Sequence, residues 1–281
     1  MSTNYTNPLT KHFRKPAIYL KLPSKGRFWE TGITMPDNGE LPIYPMTAKD
    51  EITLRTPDAL LNGQGVIDVI ESCCPNITDA WRMPSVDVDA LLIAIRIASY
   101  GTDMQFDAKC QHCNETDSYG IDLNYVLDHI KLADYASVVS NSDNVSIKLR
   151  PQEYFSLNAT NQIKFEEQKI LNAINVKGVS PEIKLAEFRN HMNKIVGLNN
   201  KLLVDSTDYI DADGEIVTNK EFIAEYYTNC PGNVIKEVQT KLKEIAEASS
   251  IKPAHLTCAS CQGEYDVSIT FDHSSFFGLG S

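Results

Sequence analysis

An α+β fold is what this sequence predicts, a mainly helical body joined to a small β element of two facing hairpins. Three observations predict it. Cys110-x-x-Cys113 lies in strand-like sequence, DMQFDAKCQHCNETDSYGIDL; Cys258-x-x-Cys261 repeats that texture in AHLTCASCQGEYDVSITF. Helical periodicity fills most of the chain around and between them.

Composition narrows the class. The 281 residues are 42% apolar and 22% charged, enough for a real core. A formal charge of −11 argues against a protein that grips phosphate backbones, since that affinity comes from Lys and Arg releasing counterions. Seven cysteines are odd in number and sparse, which does not suit a secreted disulfide scaffold. The N-terminus has no apolar signal segment, and the longest apolar run, near Asp89–Ser99, is far short of the roughly 20 residues a membrane span needs. A reducing, cytosolic site of synthesis is expected.

Residues 1–45 read as an extended arm with short strands. Six prolines punctuate it, a basic cluster runs from Lys11 to Arg27, and Ala17-IYLKL is strand-like. The segment 46–144 reads as a helical core plus the first hairpin. Thr47 and Asp50 have capping-box spacing, Thr56-Pro57 has cap-and-proline form, and Ser85-VDVDALLIAIRIASYG is apolar on nearly every side, hence a buried helix ending at Gly101. Residues 145–250 read as an inserted, mainly helical domain. It opens with the strand Val145-SIKLR; helices follow at Glu153–Ile174 and from Ser180-Pro181. Asp211-ADGEIV is a hairpin, and helices over Asn219–Tyr227 and Gly232–Ala248 close it. Residues 251–281 hold the second hairpin and a tail.

Four thiolates from two facing hairpins are the ligand set of a tetrahedral zinc ribbon, so Cys110, Cys113, Cys258 and Cys261 are the candidate ligands of one structural Zn2+. The 145 positions between Cys113 and Cys258 exceed ordinary ribbon spacing. Loop-closure entropy grows only logarithmically with length, so a folded insertion is tolerable. Four cysteines leave no open position for water, so a catalytic metal is not expected. His112 and His255 flank the set as substitute ligands. A redox dithiol is disfavoured because neither pair opens a helix after a strand.

Other motifs reduce to structure. Asp211-x-Asp213-Gly214 resembles part of a calcium loop, but Tyr209 and Lys220 occupy its first and last positions. Gly63-Gln-Gly65 lacks the third glycine of a dinucleotide fingerprint. Cys73-Cys74 reads as buried packing. No nucleophile is paired with a base, so no enzymatic site is nominated.

Several stretches together resemble a known family: LPSKGRFW (22–29), YPMTAKDEITLRTPDALLNG (44–63), VIESCCP (69–75), VDALLIAIRIASYG (88–101) and KCQHC (109–113). They are similar to the baseplate proteins of T-even-type contractile-tailed bacteriophages, its hub subunits or hub assembly proteins. The resemblance covers roughly the first 125 residues. It implies a non-enzymatic structural component of the virion tail baseplate, assembled in the host cytoplasm in multiple copies. Its implied partners are other baseplate, hub and tail-tube proteins, with no nucleic acid and no membrane. The alternatives are an assembly factor that leaves the finished hub and, from another class, a zinc-ribbon nucleic-acid binder. Two further expectations follow from the residues: Arg96, inside the buried helix, pairs with Asp50 or Glu51, and the arm and the Ser274-SFFGLGS tail thread into neighbouring subunits.

Overall fold

The computed structural model describes residues 7–56, 63–132, 134–136, 138–140, 144–159, 161, 189, 194, 197–249, 251 and 253–267. The mixture of helix and antiparallel sheet agrees with an α+β fold, and the described core residues fall into three clusters.

The largest cluster surrounds α3, Ser85–Tyr100, whose Leu91, Leu92, Ile93 and Ile95 are all fully buried. Apolar side chains on every face leave such a helix no solvent side, so other elements must wrap it. β1 (Ile18–Leu20) and β2 (Leu41–Ile43) form an antiparallel ribbon in the register Ile18↔Ile43 and cover it with Leu20, Leu41 and Ile43. α1 (Ala48–Leu54) and α2 (Gln64–Cys73) complete the layer. The capping box is present on α1: Thr47 Oγ1 accepts from Asp50 N, and Asp50 Oδ2 accepts from Thr47 N at 2.7 Å. Gly101, at φ +90°, ends α3, a backbone conformation costly for any residue with a Cβ. Cys73 and Cys74 are fully buried packing, and burial pushes their thiols up to about 12 and about 11. The Thr56-Pro57 start lies outside the described residues.

The arm belongs to this body. Ala17-IYLKL, expected to reach a partner's sheet edge, pairs with β2 of its own chain, and Trp29 packs against the core. Two side-chain clasps hold it. Arg14 donates to the carbonyls of Ser72 (2.7 Å) and Pro45 (2.8 Å) and pairs with Asp50 (3.3 Å). Asp87, fully buried in the first turn of α3, accepts from Ser24 N (2.9 Å), Ser24 Oγ (2.6 Å) and Trp29 Nε1 (2.8 Å). Burial raises the Asp87 carboxyl above its ordinary range, against the pull of those three donors.

Arg96 departs from expectation. It is buried, but Asp50 is engaged by Arg14 and Thr47, and Glu51 accepts from the Tyr100 hydroxyl at 3.0 Å. The Arg96 guanidinium lies over the Tyr100 ring, 5.4 Å from its centroid, and desolvation pulls its pKa down. Among the described residues neither acid forms an ion pair with Arg96; its guanidinium meets the ring of Tyr100, whose hydroxyl donates to Glu51.

The second cluster belongs to a four-stranded antiparallel sheet, β5 (Val138–Ser140), β6 (Val145–Leu149), β7 (Thr207–Ala212) and β8 (Glu215–Val217), adjacent in that order. Asp213 and Gly214, both at positive φ, make the β7–β8 turn, and Asp211 Oδ1 accepts from Gly214 N at 2.8 Å; this is a hairpin rather than a calcium loop. α4 (Lys220–Asn229) and α5 (Gly232–Ser249) bury Ile223, Tyr227, Val234, Val238 and Ile245 against the sheet. The segments expected to be helical at Glu153–Ile174 and from Ser180 lie largely outside the described residues. Arg150, at the end of β6, ties this unit to the arm through Glu30 and the Phe28 carbonyl.

Candidate metal centre

Two hairpins form the third cluster. β3 (Asp103–Lys109) pairs with β4 (Thr116–Asp122) in the register Lys109↔Thr116, and β9 (Ala254–Thr257) pairs with β10 (Glu264–Val267) in the register Thr257↔Glu264. The turns set the cysteines. Each turn has the same backbone bonding. Cys110 N donates to Glu115 O (2.8 Å) and Asn114 N donates back to Cys110 O (3.0 Å); Cys258 N donates to Gly263 O and Gln262 N to Cys258 O, both at 3.0 Å. The residue after the second cysteine is left-handed in both, Asn114 at φ 63° and Gln262 at φ 56°. A short turn closed this way tips both of its thiols to one side.

The turns face each other, and all four candidate cysteines converge. Cys110 Sγ lies 3.7 Å from Cys261 Sγ, and Cys113 Sγ lies 3.6 Å from Cys258 Sγ. All four sulfurs lie within 4.8 Å of one another. A tetrahedral ion with metal–sulfur bonds of about 2.3 Å requires sulfur–sulfur edges of about 3.8 Å, so the donor set fits one metal ion in number, chemistry and spacing. Cys110 and Cys258 are buried, Cys113 is half-buried and Cys261 is exposed. The N–H groups of Cys113 and His112 directed at the Cys110 sulfur hold its thiol down to about 6. Among the described residues no other cysteine joins such a cluster: Cys230 is half-buried and its thiol is raised by desolvation.

Neither histidine joins the set. His112 Nε2 lies 3.0 Å from the Glu264 carbonyl, across the two turns. His255 is exposed and held by Asp266 (2.9 Å) and Glu264 (3.5 Å), which raise its pKa, the Asp266 hydrogen bond most.

Four residues of this centre carry no recognisable motif. Asp117 accepts from Ala259 N at 3.3 Å and lies 3.6 Å from Cys258 Sγ. Tyr265 donates to the Tyr119 hydroxyl at 3.2 Å, and Tyr119 to the Thr257 carbonyl at 3.3 Å. Gly263 is required by proximity: a Cβ there would stand 2.7 Å from His112 Cδ2. The single signal in the sequence was the tyrosine in phase with the alternation of each hairpin, Tyr119 and Tyr265.

Among the described residues no helix is long and apolar enough to cross a membrane. No curated protein and no solved structure matches the chain. A family model described as T4 bacteriophage base plate protein matches residues 16–278, nearly the whole length and both cysteine hairpins. The chain therefore belongs to the T4 bacteriophage base plate protein family, with a structural role in the phage tail baseplate.

Proposed function

We propose that this chain is a non-catalytic subunit of the hub or hub-proximal part of the baseplate, made in the host cytoplasm, and that one structural zinc stabilises it. Cys110, Cys113, Cys258 and Cys261 would hold the ion as a zinc ribbon split by the inserted unit. The observation that carries this reading is the convergence of four thiols, at tetrahedral spacing, from turns 145 positions apart. Bound there, zinc supplies cross-linking alone, because four sulfurs close its coordination sphere. Zinc is favoured over harder divalent cations by a donor set made only of sulfur.

The hairpin surface opposes a nucleic-acid role. Residues 103–122 and 254–267 hold seven carboxylates and one lysine, Lys109, the wrong sign for a phosphate backbone.

Purified protein is expected to contain one zinc per chain, and Cys110→Ser and Cys258→Ser are expected to lose it equally. Full zinc in the Cys258→Ser variant would refute the shared site. The chain is also expected in purified virions, at a copy number that is a multiple of three or six. Its absence there would replace the structural subunit by an assembly factor.

A further inference from the structure

We infer that the outward face of residues 13–21 docks an acidic, extended segment of a different baseplate protein. The inference rests on the structural-subunit reading, which supplies the neighbours.

The arm is two-sided. From Phe13 to Leu22 burial alternates at every residue. Arg14, Pro16, Ile18, Leu20 and Leu22 turn inward, where Arg14 is clasped by Ser72, Pro45 and Asp50, and the leucines enter the core. Phe13, Lys15, Ala17, Tyr19 and Lys21 turn outward. Phe13 is 60% and Tyr19 63% exposed, although large aromatics are costly to leave in water. The inner half is thus committed to this chain's own fold, and the outer half presents aromatic and basic groups at strand spacing.

Charge specifies the occupant. The first 29 residues contain six Lys and Arg and no Asp or Glu, within a chain of net charge −11. Lys21 has only a surface partner, Glu40 at 3.4 Å, and its side chain remains 73% exposed. A complementary segment would bring carboxylates to Lys15 and Lys21 and apolar side chains to Phe13 and Tyr19. Backbone geometry specifies its shape. β1 pairs with β2 on one side, and among the described residues no strand pairs with its other edge. An extended segment can take up main-chain hydrogen bonds there while its alternate side chains meet the outward face.

Other copies of this chain fit less well. β1 against a second β1 would set lysines beside lysines. The exposed face of β3 in another copy presents Asp103, Gln105, Asp107 and Lys109, with no apolar side chain to meet Phe13 and Tyr19. The occupant is therefore assigned to another chain.

The test uses full-length protein in infected cells, followed by isolation of baseplates. The Lys15→Glu/Lys21→Glu variant is expected to be incorporated at least tenfold less than wild type, with an unchanged thermal midpoint for the purified protein. A photo-reactive benzoylphenylalanine replacing Tyr19 is expected to cross-link to an acidic segment of another baseplate protein. Wild-type incorporation of the double variant overturns the inference, as does a cross-link to a second copy or to nucleic acid. Absence of the wild-type chain itself from baseplates refutes instead the subunit reading on which the inference rests.

Discussion

At Asp87 a buried carboxylate holds a loop in place. Its two oxygens satisfy three donors from the arm, the Ser24 N–H, the Ser24 hydroxyl and the Trp29 indole N–H. Among the described residues no cation reaches it, so the arm's own donors stabilise the charge. Asp87→Ala removes the acceptor and leaves those donors buried and unsatisfied, a loss of about 3 kcal/mol. Urea unfolding is expected to register that loss, with red-shifted Trp29 emission in the native baseline as the arm lifts. An unshifted midpoint would mean that the arm is held without Asp87. Arg96 shows the limit of reading single residues. Its burial was legible, because Leu92, Ile93, Ile95 and Ile97 beside it in α3 are apolar; its surroundings were not, because Tyr100, one turn later, donates to Glu51 and meets the guanidinium with its ring.

Elements read well wherever their signals are local. The Thr47 capping box, the Gly101 stop and the Asp213-Gly214 turn each depend on residues within one turn of the chain, and each is present. The contact between the two cysteine turns is of the other kind. His112 of the first turn lies over Gly263 of the second, with Nε2 at 3.0 Å from the Glu264 carbonyl. Gly263→Ala would press a methyl group into that ring and is expected to cost about 1–2 kcal/mol, with weaker retention of metal against a chelator. Adding His112→Ala is expected to relieve most of the cost in a double-mutant cycle. Equal losses in the single and double variants would place the strain elsewhere, at the Cys261 sulfur 3.3 Å away.

Across the whole molecule, one ion pair links the end of the four-stranded sheet to the arm. Arg150, nearly buried at the end of β6, pairs with Glu30 of the arm, and that hydrogen bond and charge hold the Glu30 carboxyl below its ordinary 4.5. A depressed carboxyl contributes stability that is complete above 4.5 and is lost as pH falls through its lower native value. Glu30 is 61% exposed on its side chain, so solvent screening limits the contribution to about 0.5 kcal/mol. Wild type is expected to lose that much more stability than Glu30→Gln between pH 7 and a pH well below 4.5. Parallel pH curves for the two proteins would show that the pair contributes nothing. By itself the sequence determined what short-range chemistry specifies: the mixed class, the buried α3, the turns, and four cysteines in two matching hairpins. Only the tertiary structure decided that residues 17–29 fold back, that Asp50 goes to Arg14, and that the two hairpins meet sulfur to sulfur. The physical reason is separation along the chain. Periodicity and caps act over three or four residues, whereas Ser24 meets Asp87, Glu30 meets Arg150 and Cys113 meets Cys258 only after the intervening chain has packed, and no local pattern encodes which distant group arrives.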